Sequence, residues 1–295
     1  MNTEILNIIA PIFLIAGLGY AMEATGRGFH PGSLTRLVMW IGTPSLVFSS
    51  LTRTELPTDD LLRMAGCAVA VVLIGGGVAA AILRALRLPL RAYLPPLTLP
   101  NSGNAGLPVV LFAFSQDGLS IGVAFFFVIA LTQYVVVPIF IVGRANWRAI
   151  ATEPLLWSVM TSIAVKFLEI VPPAIIAETT HILGGMVIPV MLLMLGGALA
   201  RLRVADLFTS AFLAVVRLSV GAGAGMVVIL VFNLDGVEAA TLFLLSAMPA
   251  AVVTYVFAER YGQAPEKVAG LVVCSTILTF LTLPILLIFA FKIAQ

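Results

Sequence analysis

The chain has 295 residues, 61% of them hydrophobic and only 10% charged, with a formal net charge of +2. A water-soluble domain carries about 25% charged and about 45–50% apolar residues, so this composition excludes a soluble globular fold and points to lipid as the solvent. The small net charge and the lack of any long basic run exclude a nucleic-acid partner.

A membrane-crossing helix needs about 20 mostly apolar residues. That rule gives ten segments: 4–22, 33–51, 61–83, 92–116, 120–143, 154–170, 173–200, 206–232, 237–260 and 266–292. The first carries Glu4 and no early positive charge, so it reads as an uncleaved span rather than a signal peptide. The connections are short and hold most of the charge. Cys67 and Cys274 lie in separate apolar runs, and His30 and His181 in polar connections. No thiol pair, HExxH, P-loop or strand-to-helix GxSxG elbow occurs, so neither metal, cofactor nor enzyme chemistry is expected. The expected fold class is an all-α membrane protein, one bundle of ten helices without a soluble domain.

Positive charge marks the cytoplasmic side of membrane proteins. With the N-terminus outside, the inner connections hold eleven Lys and Arg: Arg27, Arg36, Arg84, Arg87, Arg91, Arg144, Arg148, Arg201, Arg203, Arg260 and Lys267. The outer segments hold three (Arg53, Arg63 and Lys292), and Lys166 and Arg217 fall inside spans. Both termini are therefore expected outside.

The chain repeats itself. Pro11 and Pro154, Pro44 and Pro189, and Pro138 and Pro284 are separated by 143, 145 and 146 residues. Gly118 and Gly262 differ by 144, and Asp60 and Asp206 by 146. The expected units are 1–152 and 153–295, five helices each. An odd number of helices inverts the second unit in the membrane, the arrangement that underlies alternating access.

The fourth predicted helix contains LPNSGNAGLP, residues 99–108. Proline removes a backbone donor and clashes with the preceding turn, and glycine permits irregular backbone. Such a break survives in a membrane only where it is buried in protein or lines a wet cavity. The ninth predicted helix carries a matching break in SAMPAAVVTY, residues 246–255. Two broken helices at equivalent places in inverted repeats should cross near the midplane. Two half-helix N-termini then offer free N–H groups and partial positive charge, a site for a carboxylate. The expected function is a secondary transporter of a small organic anion.

These motifs resemble the auxin efflux carrier family, which includes bacterial dicarboxylate permeases and plant PIN-type carriers. NSGNAGLP at 101–108 is similar to the family's Asn-x-Gly-Asn-x-Gly-x-Pro signature, and MPAAVVTYVFAERYG at 248–262 to its ninth-helix stretch. TPSLVFSSL at 43–51 and IPVMLLMLGGALA at 188–200 also match. The likeness covers essentially the whole chain, without the long cytoplasmic loop of many plant members. It implies the fold shared with bile-acid sodium symporters: a scaffold from helices one, two, six and seven, and a transport core from helices three, four, five, eight, nine and ten. It further implies elevator-type transport of mono- or dicarboxylates or auxin-like acids, a homodimer, and residence in the plasma membrane, here a bacterial inner membrane. Carried over to this chain, the crossover positions are Asn101, Asn104, Pro108 and Pro249, shaped by Pro100, Gly103, Gly106 and Met248. Val253-Thr254 stand where many members have an asparagine near the tyrosine.

Other residues have two readings each. Arg217 lies mid-span in the eighth helix with Val72 as its repeat mate; it either attracts the anion or pairs structurally. Gln133, Thr254 and Tyr255 either face the solute or pack between helices. Lys166 reads as a snorkelling surface lysine. Gly75, Gly76, Gly77, Gly221, Gly223 and Gly225 read as close-packing positions in helices three and eight. The coupling ion, H+ or Na+, is open. A sodium-coupled bile-acid-type symporter is the alternative, disfavoured because the crossover offers Asn and Ser oxygens but no buried carboxylate.

Overall fold

The computed structural model describes residues 2–54, 57–143, 152, 154–202 and 205–295. Arg144, Arg148 and Arg203, counted above for orientation, lie outside the described residues. The elements are α1 (Asn2–Ala24), α2 (Pro31–Leu37), α3 (Thr43–Arg53), α4 (Thr58–Ala85), α5 (Leu90–Thr98), α6 (Leu107–Leu131), α7 (Val137–Val142), α8 (Pro154–Phe167), α9 (Ala174–Gly185), α10 (Val187–Arg201), α11 (Leu207–Phe232), α12 (Gly236–Ser246), α13 (Val252–Arg260) and α14 (Pro265–Ile293). Among the described residues the fold is all-α, and seven helical runs are long and apolar enough to cross a membrane.

One of those runs, Ser102–Val142, is 41 residues long, too long for a single crossing. It folds back on itself. A Cβ on Gly122 would sit 3.2 Å from Leu107 Cδ2 and 3.0 Å from Val110 Cγ2, yet fifteen residues of straight helix span roughly 22 Å. The reversal lies at Phe114 (φ −132, ψ 18) and Ser115 (φ 55, ψ −146). It falls at the end of the predicted fourth helix, and the return limb is the predicted fifth.

Three π-helical turns interrupt the helices, at Val38–Gly42, Ser102–Gly106 and Thr132–Val136. Each precedes a helix whose second residue is proline: Pro44, Pro108 and Pro138. A proline ring pushes on the carbonyl four residues back, and widening the turn relieves that clash. The N–H groups of Thr43, Leu107 and Val137 accordingly reach five residues back, to the carbonyls of Val38, Ser102 and Thr132. The next carbonyls, of Met39, Gly103 and Gln133, would need an N–H that Pro44, Pro108 and Pro138 lack. Three carbonyls are thus left without a helical donor.

Packing divides along two lines. The α1 helix lies against α10, and α3 against α8 and α9. Elsewhere α11 packs on α4, α12 and α14, and α6 packs on α4 and α12. The α1–α10 seam is built on glycine: a Cβ on Gly196 would run into the Ala16 carbonyl, and one on Gly19 into the Leu193 carbonyl. Backbone cannot step aside as a flexible side chain can. Gly196→Ala is expected to cost about 2 kcal/mol or more, read as a lowered unfolding temperature in detergent; an unchanged value would refute the seam.

Ion pairs tie the ends together. Glu23 at the end of α1 meets Arg201 at the end of α10 at 2.8 Å, Arg53 meets Glu178 at 2.7 Å, and Arg63 meets Glu238 at 3.5 Å. Lys166 reaches the Thr54 carbonyl at 3.0 Å. Each of these contacts joins two chain ends that the alternation of ten predicted spans puts on one face. Asp206 caps α11 through its Oδ1, which accepts the Thr209 N–H at 3.1 Å.

Candidate functional site

The two broken segments lie against each other. Helix α5 ends at Thr98 and α12 at Ser246, and between the breaks Pro100 and Ala250 form an antiparallel bridge. Asn101 N–H donates to the Pro249 carbonyl at 2.7 Å, and Ala251 N–H to the Leu99 carbonyl at 3.1 Å. Each extended strip thus satisfies the other's backbone, which neither could do alone in an apolar interior. Ala250 N–H adds a bond to Ser275 Oγ at 3.1 Å, from α14. Gly106 permits the contact, since a Cβ there would press on Leu245 Cδ2 at 2.6 Å and Met248 Cγ at 3.3 Å.

Four helix ends meet here. The C-terminal ends of α5 and α12 carry carbonyls and partial negative charge. Both are held by Arg217, which donates to the Leu97 carbonyl at 3.3 Å and the Ser246 carbonyl at 3.1 Å. The side chain is 1% exposed. Glycines make its room: a Cβ on Gly221 would strike the Ser246 carbonyl and come within 2.6 Å of Arg217 Nη1, and one on Gly225 would sit 2.9 Å from Ser246 Cβ. Gly77 and Gly223, also expected to be packing positions, face open space.

The other two ends are N-terminal. Before the turn at Ser102–Gly106, Asn101 acts as cap: its Oδ1 accepts the Asn104 N–H at 3.2 Å, and its carbonyl accepts from Ala105 and Gly106. That bond fixes the amide's orientation, because only the oxygen can face an N–H. Asn101 Nδ2 is left buried with no partner. The N–H groups of Ser102, Gly103, Val252 and Val253 precede the first helical acceptor at their two ends.

The residues that carry these groups line one cavity of about 170 Å³. Its wall includes Asn101, Ser102, Gly103, Asn104, Val252 and Val253, together with Met39, Gln133 and Tyr134. All three π-helical turns reach it. An adjoining cavity of about 290 Å³ shares Thr35, Asn104, Met194, Val252 and Val256, and ends at Glu23 and Arg201. A third, of about 670 Å³, lies at the other end beside Arg53, Asp117 and His181, and no crossover residue lines it.

The residues singled out in the sequence thus separate. Asn101, Asn104 and Gln133 come together at the cavity, and Tyr255 lines its opening toward Glu23 and Arg201. Pro108, Pro249 and Met248 shape the crossover without lining the cavity, whereas Pro100 and Gly103 both pack at the crossing and line it. Thr254 turns its hydroxyl to the Ala251 carbonyl at 2.6 Å, and Arg217 directs its Nη1 and Nη2 behind the crossover, its Nε buried without a partner. Met39 and Tyr134 were not foreseen. Their signal was the proline five residues after Met39 and four after Tyr134, which read only as a repeat marker.

A protein-family model described as membrane transport protein matches residues 137–287. The chain belongs to this family, the auxin efflux carrier-type membrane transporters. The match covers just over half the chain and includes Arg217, Pro249 and α13, while residues 99–108 fall before it. Comparison with curated proteins gives no match. Membership makes the protein a membrane transporter, in accord with its apolar helices.

Proposed function

We propose that this transporter is a secondary active carrier of small organic anions, mono- or dicarboxylates or auxin-like acids, bound where the two broken helices cross. One observation carries the reading. Asn101, with its buried and unpartnered Nδ2, and four residues whose N–H groups lack helical acceptors line one small cavity. In a site shielded from water such donors favour a carboxylate strongly. Among the described residues no carboxylate side chain lines the cavity to compete for them.

The architecture we propose is ten spans in two inverted repeats, 1–152 and 153–295. The spans containing α1, α2–α3, α8 and α9–α10 serve as scaffold and the rest as a moving core in an elevator-type cycle. The glycine-built α1–α10 seam and the separate packing of α11 with α4, α12 and α14 support this division. The cavity's opening toward Glu23 and Arg201 corresponds to an inward-facing state, given the positive-inside charge count and termini outside. A homodimer in a bacterial inner membrane completes the proposal.

Coupling to protons or to the membrane potential fits better than sodium coupling. Convergent helix C-termini are where a transporter of this kind would hold Na+, and Arg217 already occupies them. Purified protein in liposomes should take up labelled carboxylate with saturation and counterflow, undiminished when choline replaces sodium. Ohmic single-channel steps would overturn the carrier reading, and strict sodium dependence would restore the symporter.

A further inference from the structure

The anion donors do not account for the whole cavity. Its wall also includes Met39, Gly103 and Gln133, whose carbonyls are each deprived of a helical donor by the proline five residues on. They come from three separate turns. A single orphaned carbonyl is an ordinary consequence of a proline kink. Three residues with such carbonyls on one cavity of about 170 Å³, beside those with the N–H groups, bring both kinds of hydrogen-bonding group to one site.

We propose that the solute is a carboxylate that also carries a hydrogen-bond donor (a hydroxyl, ammonium or ring N–H) and that these three carbonyls read that donor. The inference rests on the organic-anion reading above and narrows it. The carboxylate takes the N–H groups of Ser102, Gly103, Val252 and Val253 and Asn101 Nδ2. The donor takes the carbonyls of Met39, Gly103 and Gln133. A solute without a donor buries these carbonyls without a partner and loses affinity accordingly. Sites built to bond a polar group reject the analogue that lacks it far more strongly than a greasy pocket rejects one carbon. Met39 belongs to the α2–α3 run, whereas Gly103 and Gln133 flank α6. A donor bridging them ties the two packing groups together through the solute.

The test uses acids matched in charge and nearly in size: lactate against propionate, malate against succinate, and indole-3-acetate against naphthalene-1-acetate. Binding is measured on the intact purified protein by calorimetry and by thermal shift. In every pair with a detectable binder, the donor-bearing acid should bind at least about tenfold more tightly. Equal affinities, or a preference for the donor-free acid, would overturn this proposal and leave the anion carrier standing. Absence of binding by all six acids would overturn the anion reading itself and this one with it. Pro138→Ala sharpens the assignment, because it restores an N–H to the Gln133 carbonyl. The ratio within the preferred pair should shrink several-fold; an unchanged ratio would remove that carbonyl from the role.

Discussion

Replacing Asn101 by aspartate is expected to weaken carboxylate binding by at least about a hundredfold while leaving the fold intact. The two halves of this amide do different jobs. Its oxygen accepts the Asn104 N–H at 3.2 Å and caps the turn that opens the long run into α6. Its nitrogen is buried and unpartnered in a residue that lines the cavity. Aspartate keeps the first job, and a negative charge suits a helix N-terminus. It reverses the second, setting a carboxylate beside a carboxylate. At about 4 Å and an effective dielectric near 20 that repulsion is worth about 4 kcal/mol. Asn101→Ala offers the contrast: it loses the cap, at about 1 kcal/mol of stability, and one donor, at roughly a fivefold to thirtyfold loss of affinity. Thermal unfolding and binding measured on the same samples separate the two. Wild-type affinity in the aspartate variant would remove the crossover cavity from solute binding.

Arg217→Met should destabilise the protein by about 3 kcal/mol. Arg217 lies fully inside the bundle and forks to Leu97 and Ser246, the carbonyl ends of the two half-helices that lead into the crossing. Hydrogen bonds from a charged donor are worth about 1.5–3 kcal/mol each, and methionine fills the volume while leaving both carbonyls unsatisfied. Arg217→Lys should recover only part of the loss, because a single ammonium lacks the planar fork that spans two acceptors. The readout is the unfolding temperature in detergent, ordered wild type above lysine above methionine. An unchanged temperature in the methionine variant would mean the guanidinium does not hold these ends.

Much of this was legible along the chain, for identifiable reasons. Span positions follow from hydropathy because lipid demands a continuous apolar run, and α1, α4, α11 and α14 lie within about three residues of their predicted limits. The breaks at 99–108 and 246–255 were readable because proline and glycine act on local backbone. The π-helical turns were not. Proline predicts a disturbed turn but not whether the helix widens or kinks, since neighbouring packing selects between them. Arg217 remained undecided for a related reason: nothing in LAVVRLSVGAG says which carbonyls lie across the helix.

The residues alone determined that the chain lives in lipid, where its long apolar helices lie, and where its helices must break, because those outcomes depend on side-chain transfer energies and on backbone chemistry within a few residues. Only the folded arrangement decided which group meets which. It set Asn101 against Pro249, gave Arg217 to two carbonyl ends, and gathered Met39, Gly103 and Gln133 on one cavity. Those pairings join positions up to about 150 residues apart in the chain, and no local rule of propensity or hydropathy reaches that far.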